Sequence, residues 1–250
     1  MQGEIASEPQ ALGLCPDRLE RIDGWMRRLV DDGKVAGLSV MLARGGQTAF
    51  FRAHGRADIA RDTPFTPDTI ARIYSMTKPL TSVAVMMLYE EGRFQLDDPI
   101  TRFLPEFLDL RVLTGGNRAK FDSEPARRPI TIRDLLTHTS GLTYGFMEAT
   151  LVDALYRQHG VDFGEAQEAS LTEVVARLAR QPLLAQPGAE WNYSVATDVL
   201  GHLVAVVSGE DFADFLRRRV IVPLGMVDTD FFVPADKLPR LAEIGRAHVC

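Results

Sequence analysis

The sequence of 250 residues predicts a fold of mixed α and β structure, with a β-hairpin near its start and helices over most of the rest. Three observations support this prediction. Apolar residues recur at helical spacing after Pro16, two short apolar runs flank Gly45-Gly46, and a long apolar segment after Ser75 is followed by alternating helical patterns and loops. A chain of this length can bury a substantial core, as one large domain or as two packed ones.

The first two elements follow from local pattern. In "PDRLERIDGWMRRLVDDG", the apolar residues at 19, 22, 26, 29 and 30 lie on one helical face, and Gly33 is expected to stop the helix. In "GLSVMLARGGQTAFFRAHG", the two apolar runs around Gly45-Gly46 predict the hairpin.

The segment from Thr77 to Glu91 is apolar on most sides, which is typical of a buried helix, and Gly92 stands where a C-terminal cap is expected. Beyond it, the chain is expected to be mainly helical up to about residue 225. The helical patterns lie in "PITIRDLLTHTSGL", "SLTEVVARLARQPL", "SVATDVLGHLVAVVSG" and "EDFADFLRRRVIVPLGM".

Composition argues against several classes of function. The net charge of −6 and the pI near 5.4 do not support nucleic-acid binding, which usually requires a basic stripe. No run of eighteen or more apolar residues predicts a membrane span, and the opening residues lack the pattern of a secretory signal, so a cytoplasmic location is expected. Cys15 and Cys250 do not make a disulfide framework.

Ser75 and Lys78 form an S-x-x-K pattern at the head of the apolar segment. Lysine is rare in this chain, with four residues (Lys34, Lys78, Lys120 and Lys237) against twenty-four arginines. Residues at i and i+3 share a helix face, so the Ser75 hydroxyl and the Lys78 amine can meet. Burial of the following turns would disfavour the charged amine, and a neutral lysine is a plausible base for a serine nucleophile. The alternative is an incidental charge on the helix surface.

Other catalytic motifs are missing from the sequence. It has no G-x-S-x-G, no H-E-x-x-H, no G-x-x-x-x-G-K-[ST] and no G-x-G-x-x-G, and no Cys/His cluster suggests zinc, so neither a metal nor a cofactor is expected. Tyr193, in "QPGAEWNYSVATDVLG", is either a packing residue or a phenol whose proton loss a nearby lysine would favour.

Four segments occur in the same order as the motifs of a known family. They are "SMTK" at 75–78, "LLTHTSGLTYGF" at 135–146, "PGAEWNYSV" at 187–195 and "PLGMVDT" at 223–229. Through them the sequence resembles the serine hydrolases with a class C β-lactamase fold, in particular the family VIII carboxylesterases. The resemblance implies an α/β (α+β) fold of the β-lactamase/transpeptidase type, in which an antiparallel sheet flanked by helices accompanies a mainly helical domain. It divides the chain into 1–85 of the α/β domain, a helical region at 86–230 that borders the active-site cleft, and an incomplete end at 231–250.

The same resemblance implies roles for single residues. Ser75 would be the acylated nucleophile with Lys78 as its partner, Tyr193 would be the general base or proton relay, and His138 and Tyr144 would touch the substrate. Val195 stands where class C β-lactamases carry an asparagine that holds the substrate amide, which favours small, short-acyl esters over β-lactams.

Two other outcomes stay open. One is β-lactamase or D-amino-acid peptidase activity, and the other is a non-catalytic homologue. The end of the chain adds an expectation, because Glu243 to Val249 looks like a translated sequencing adapter, so that 243–250 would be artefactual. Full-length members of the family that this sequence resembles continue into a third motif and closing strands. This chain by itself is therefore expected to be inactive and poorly folded.

Overall fold

The computed structural model describes residues 8–161 and 169–243. The chain divides into two compact units, Met1–Tyr74 with Gly225–Cys250, and Ser75–Leu224. The predicted division at residues 85 and 230 stays a prediction, and the suspected artefact at 243–250 lies outside the described residues except for Glu243.

The first unit opens with α1 (Pro16–Asp31), which confirms the predicted helix. Proline at the first helical position suits a helix start because its missing N–H would have no partner there. Gly33 follows the helix with a φ of 66°, a left-handed conformation that stops the helix where the sequence predicts. Leu19 and Met26 lie on the buried face of α1 and pack with Phe50 of the following hairpin.

This unit also contains a three-stranded antiparallel sheet, ordered β1-β2-β3. Its strands are β1 (Gly37–Arg44), β2 (Gln47–Asp58) and β3 (Thr63–Pro64). Gly45 and Gly46, with φ values of 58° and 75°, join β1 to β2 as a two-residue turn, which confirms the hairpin.

The second unit begins with Ser75 and the helix α2 (Thr77–Glu90), which ends just before Gly92 as expected. The expectation that this helix is buried on all sides is wrong. Its buried residues, Thr81, Ala84, Val85 and Leu88, share one face, whereas Val83 is 47% exposed. The outer face carries uncharged residues as well, so composition did not distinguish it from the inner face.

An antiparallel hairpin follows, formed by β4 (Arg111–Gly116) and β5 (Phe121–Pro125). No strand was predicted for this stretch, which lies within the region expected to be mainly helical. Most of the hairpin residues are exposed or half-buried, with only Val112 fully buried, so the alternation of apolar and polar residues that marks a half-buried strand is lacking.

The described residues of the second unit contain five further α-helices, and the four predicted helical patterns each contain one of them. They are α3 (Ile132–Leu136), α4 (Leu151–Gln158), α5 (Leu171–Leu178), α6 (Ala196–Ser208) and α7 (Phe212–Leu216). The first three each begin with a capping box, in which the side chains at the N-cap and N3 satisfy each other's backbone N–H groups. Helix α6 is almost wholly buried and packs against α2, α3, α5 and α7, so it forms the centre of the core.

Candidate active site

Ser75 lies in a short 3-10 turn (Tyr74–Met76) that leads directly into α2. Tyr74 has a φ of 40°, a left-handed conformation that is uncommon for a residue with a side chain. Ser75 itself is exposed. The turn therefore presents the serine hydroxyl at the start of a helix, where unpaired backbone N–H groups favour negative charge.

Lys78 follows one turn later and meets Ser75, as the spacing of the pattern predicts. Its Nζ donates a hydrogen bond to Ser75 Oγ at 3.0 Å. Lys78 is half-buried, so the expected removal of this amine from water is only partial.

Tyr193 reaches the same oxygen from a loop 118 residues further along the chain, and its hydroxyl donates to Ser75 Oγ at 2.7 Å. Lys78 Nζ lies 4.8 Å from the centre of the Tyr193 ring. Burial alone would raise the pKa of Tyr193, but its hydrogen bonds with Lys78 and Ser75 and the positive charge of Lys78 outweigh burial and lower the pKa.

Hydrogen bonds join the loop that carries Tyr193 to the loop after α3. Gly188 N donates to Thr139 O at 2.7 Å, and Val195 N donates to Thr143 O at 3.2 Å. Asn192 is bound twice, through N to His138 O at 2.8 Å and through Nδ2 to Leu142 O at 2.8 Å. These contacts fix the backbone on both sides of Tyr193. Asn192 was not among the predicted site residues, and its place directly before the tyrosine was the available signal.

Tyr144 and Asp198 are two further titratable residues of this site. The Tyr144 ring is buried, with its centre 5.6 Å from Lys78 Nζ and 5.3 Å from that of Tyr193. Burial, the charge of Asp198 and a hydrogen bond to it raise the pKa of Tyr144. Burial also raises the pKa of Asp198 to about 6, although Lys78, a backbone N–H and Tyr144 act in the opposite direction. Asp198 was not among the predicted site residues, and the available signal was an acidic residue early in an apolar helical pattern.

The two remaining predicted site residues are placed differently. The ring of His138 lies 5.0 Å from that of Tyr193, and its Nδ1 is 3.2 Å from Ser194 Oγ. Burial and the charge of Lys78 lower the pKa of His138, which favours the neutral imidazole. Val195 is fully buried at 0% exposure, so its side chain offers no surface to a substrate here, and its binding role stays a prediction.

Two exposed aromatic residues border the site. The Trp191 side chain is 67% exposed, with its ring centre 6.4 Å from that of His138. Phe146 is 58% exposed, with its ring centre 4.8 Å from that of Tyr144.

Within the described residues, no three His, Cys, Asp or Glu side chains cluster as a metal site would require. None of the helices in that part of the chain combines the length and hydropathy needed to cross a bilayer.

The arrangement suits the activation of a serine nucleophile. An ammonium and a phenol both donate to one hydroxyl oxygen, and the phenol is the group whose pKa is lowered. Once ionised, it can accept the serine proton while the ammonium stays beside the developing alkoxide.

A protein-family model described as "Beta-lactamase" matches residues 22–249 of the chain. The chain belongs to the Beta-lactamase family. It is 39% identical over 221 residues to Protein Rv1367c of Mycobacterium tuberculosis, covering 88% of this chain and 54% of that protein. It is 37% identical over 226 residues to Esterase EstB of Burkholderia gladioli, covering 90% of this chain and 54% of the esterase.

The comparison with solved structures supports the same fold family. EstCE1, described as a hydrolase with promiscuous acyltransferase activity, superposes with a TM-score of 0.78 at 32% identity, over 94% of this chain and 56% of EstCE1. The chain therefore has the β-lactamase/transpeptidase-like fold that its motifs imply. It spans about half the length of the curated relatives it matches.

Proposed function

We propose that this Beta-lactamase family chain carries the nucleophile of a serine carboxylesterase that acts through an acyl-Ser75 intermediate. One observation carries the proposal: Ser75 Oγ accepts hydrogen bonds from Lys78 Nζ at 3.0 Å and from the Tyr193 hydroxyl at 2.7 Å. No cofactor takes part in the steps proposed.

The proposed first step transfers the serine proton. Tyr193 in its ionised form accepts the proton of Ser75, Oγ attacks the ester carbonyl carbon, and the bond to the alcohol oxygen breaks. Tyr193 returns the proton to the departing alkoxide, which leaves as the alcohol. Water then attacks the acyl-serine by the same proton route and releases the acid. Lys78 Nζ lies beside both the serine oxygen and the Tyr193 ring, so in this step it stays next to the developing alkoxide.

The proposed substrates are small carboxylic esters with short acyl chains. Val195 supports esters over β-lactams because it lacks the amide that would hold the amide group of a lactam substrate. The similarity to Esterase EstB supports ester hydrolysis. Membership of the family VIII carboxylesterases is part of the same proposal.

The test is hydrolysis of nitrophenyl acetate and butyrate by the protein that contains this chain, compared with its Ser75→Ala variant. We expect Ser75→Ala to lose about 10³-fold or more of the activity, because no other group replaces the nucleophile. Ser82→Ala is the matched control, since Ser82 lies on α2 one turn beyond Lys78, and it should keep the activity. Turnover that survives Ser75→Ala would reject the proposal.

Acyl transfer is the second candidate, favoured by the similarity to EstCE1 and its described acyltransferase activity. Water and an added alcohol would compete for the same acyl-Ser75. We expect an alcohol to divert product from acid to new ester without changing the rate of nitrophenol release when acylation is rate-limiting. Nitrocefin turnover as fast as ester turnover would instead favour the β-lactamase alternative.

A further inference from the structure

Tyr144 has a buried aromatic ring beside the nucleophile, and the proposed reaction does not use it. It follows α3 in the chain and is only 8% exposed. Its ring centre lies 5.6 Å from Lys78 Nζ and 5.3 Å from the centre of the Tyr193 ring, with the two ring planes at 48°. One ring therefore contacts both side chains that donate hydrogen bonds to Ser75 Oγ.

The Lys78 ammonium lies over two aromatic faces. Its Nζ is 4.8 Å from the centre of the Tyr193 ring and 5.6 Å from that of Tyr144, and it donates to Ser75 Oγ at 3.0 Å. The face of an aromatic ring attracts a cation within about 6 Å of the ring centre. The two rings therefore hold the ammonium on the side where it reaches the serine oxygen.

Hydrogen bonds to α4 fix the backbone on both sides of Tyr144. Before it, Thr143 Oγ1 donates to Asp153 Oδ1 at 2.8 Å, and after it, Arg157 Nη1 donates to Gly145 O. Asp153 and Arg157 both belong to α4. The position of the Tyr144 ring is therefore supported by contacts that involve neither Lys78 nor Tyr193.

We propose that Tyr144 is a positioning residue for the serine nucleophile. The face of its ring holds the Lys78 ammonium against Ser75 Oγ, and its edge of the cluster packs against the ring of Tyr193. The meaning of this role for catalysis rests on the proposed function, whereas the contact between the ring and the ammonium does not. The role belongs to the ring and not to the hydroxyl, and it requires no contact between Tyr144 and a substrate.

The test varies the electron density of the ring while its shape stays nearly constant, in the protein that contains this chain. Tyr144→Phe is the starting variant, and phenylalanines with one, two or three ring fluorines at residue 144 weaken the attraction of the ring face for a cation step by step. The readout is acetylation of Lys78 by acetic anhydride, measured by mass spectrometry against the exposed Lys34 and Lys120 of the same samples.

We expect Tyr144→Phe to match the unchanged protein, because the ring is kept. Lys78 should react about two- to fivefold faster in the trifluorinated form, because an amine that the ring holds less strongly reaches the reagent more often. The same fluorinated series at Tyr156 is the matched control, since Tyr156 is a fully buried ring on α4. That series should leave the Lys78 rate unchanged. A Lys78 rate that is independent of the fluorines at residue 144, or that responds equally to those at residue 156, would overturn the inference.

Tyr144→Leu removes the ring and tests the consequence for turnover. With nitrophenyl acetate we expect kcat to fall about tenfold with little change in KM, because the lost contact positions the reacting groups and does not bind the substrate. A raised KM with an unchanged kcat would assign Tyr144 to substrate binding and overturn the inference. If Tyr144→Leu does not fold by circular dichroism, the fluorinated series decides.

Labelling of Ser75 by a fluorophosphonate on the same samples separates this inference from the proposed function. A Lys78 rate that rises with fluorination while Ser75 stays unlabelled would reject the proposed function and keep the contact between the ring and the ammonium. Labelled Ser75 with a Lys78 rate that ignores fluorination would do the reverse.

Discussion

Ser75 Oγ accepts hydrogen bonds from two donors, and this geometry sets a requirement on the chemistry. A hydroxyl held by an ammonium and a phenol is well oriented, yet it remains a weak nucleophile until one neighbour takes its proton. Hydrogen bonds with Lys78 and Ser75 and the charge of Lys78 lower the pKa of the Tyr193 phenol. The lowered pKa makes the phenolate easier to form, so that it can serve as base while the ammonium of Lys78 stabilises the negative charge.

At the residue scale, the hydroxyl of Tyr193 is the group to test as the base. Tyr193→Phe should slow fluorophosphonate labelling of Ser75 by about 10² to 10⁴, because general base catalysis is lost. In the unchanged protein the labelling rate should rise with pH up to the pKa of Tyr193, since the phenolate form is the base, and this rise should disappear in the variant.

Tyr89→Phe is the control for that prediction. Tyr89 lies on α2 like Lys78, and its ring packs near Phe94, away from the hydrogen bonds of Ser75. In Tyr89→Phe, the rate of Ser75 labelling and its pH dependence should match those of the unchanged protein. A Tyr193→Phe variant that keeps the rise with pH would assign the base to Lys78.

At the scale of elements, the site depends on the pairing of two loops. The loop after α3 and the loop before α6 are joined by backbone hydrogen bonds, among them Leu184 N to Gly141 O at 2.7 Å. Gly141 has a φ of 82°, and a Cβ at this position would lie 2.1 Å from Ala185 O. A side chain therefore does not fit at residue 141 without separating the two loops.

We expect Gly141→Ala to lower the free energy of unfolding by about 1–3 kcal/mol, from the clash and the left-handed backbone together. Ser75 labelling should slow as well, because Tyr193 follows on the displaced loop. Gly115→Ala is the matched control in the same unit, since a Cβ there meets nothing within 4 Å and its φ is not left-handed. Urea unfolding measures both variants, and equal effects would contradict the clash.

The elements that could be predicted from the sequence are those whose signal is local. The helix after Pro16, the turn at Gly45-Gly46 and the helix after Ser75 each follow from spacing and from a glycine stop or turn. The hairpin β4–β5 could not be predicted, because its mostly exposed strands lack an apolar alternation. The inner face of α2 also escaped prediction, since partners distant in sequence decide which side is buried.

The site divides in the same way. The meeting of Ser75 with Lys78 follows from a spacing of three residues, whereas Tyr193 joined them only through resemblance to a known family. Asp198 carries no motif, and the burial that raises its pKa depends on the packing of α6 in the folded chain. Such contacts exist only after the chain has folded.

At the scale of the whole molecule, carboxylates with lowered pKa values couple stability to pH in both units. Asp23 and Asp228 belong to the first unit, and Asp134 belongs to the second. The pKa of Asp23 is lowered mainly by its hydrogen bond with His54, and that of Asp228 mainly by Arg240. Burial would raise the pKa of Asp134, but hydrogen bonds with Arg128 and Thr131 outweigh it. A carboxyl with a lowered folded pKa stabilises the protein above its ordinary pKa, and this contribution is lost as the pH falls through the folded pKa.

Asp134 allows this coupling to be tested against a neighbour. Its buried carboxylate binds Arg128 at 2.6 Å and caps α3, whereas the exposed Asp97 binds Arg133 of the same helix at 2.7 Å. At pH 7, Asp134→Asn should lower the free energy of unfolding by about 1–3 kcal/mol, since buried donors lose a charged acceptor. Asp97→Asn should change it little, because solvent screens an exposed pair. The deficit of Asp134→Asn should begin to shrink as the pH falls below about 4, where the unfolded chain takes up the proton, and should be lost as the pH falls through the lower folded pKa of Asp134. Urea unfolding between pH 7 and the acid limit of folding measures this, and a deficit that stays constant over that range would show that Asp134 acts through packing and not through its charge.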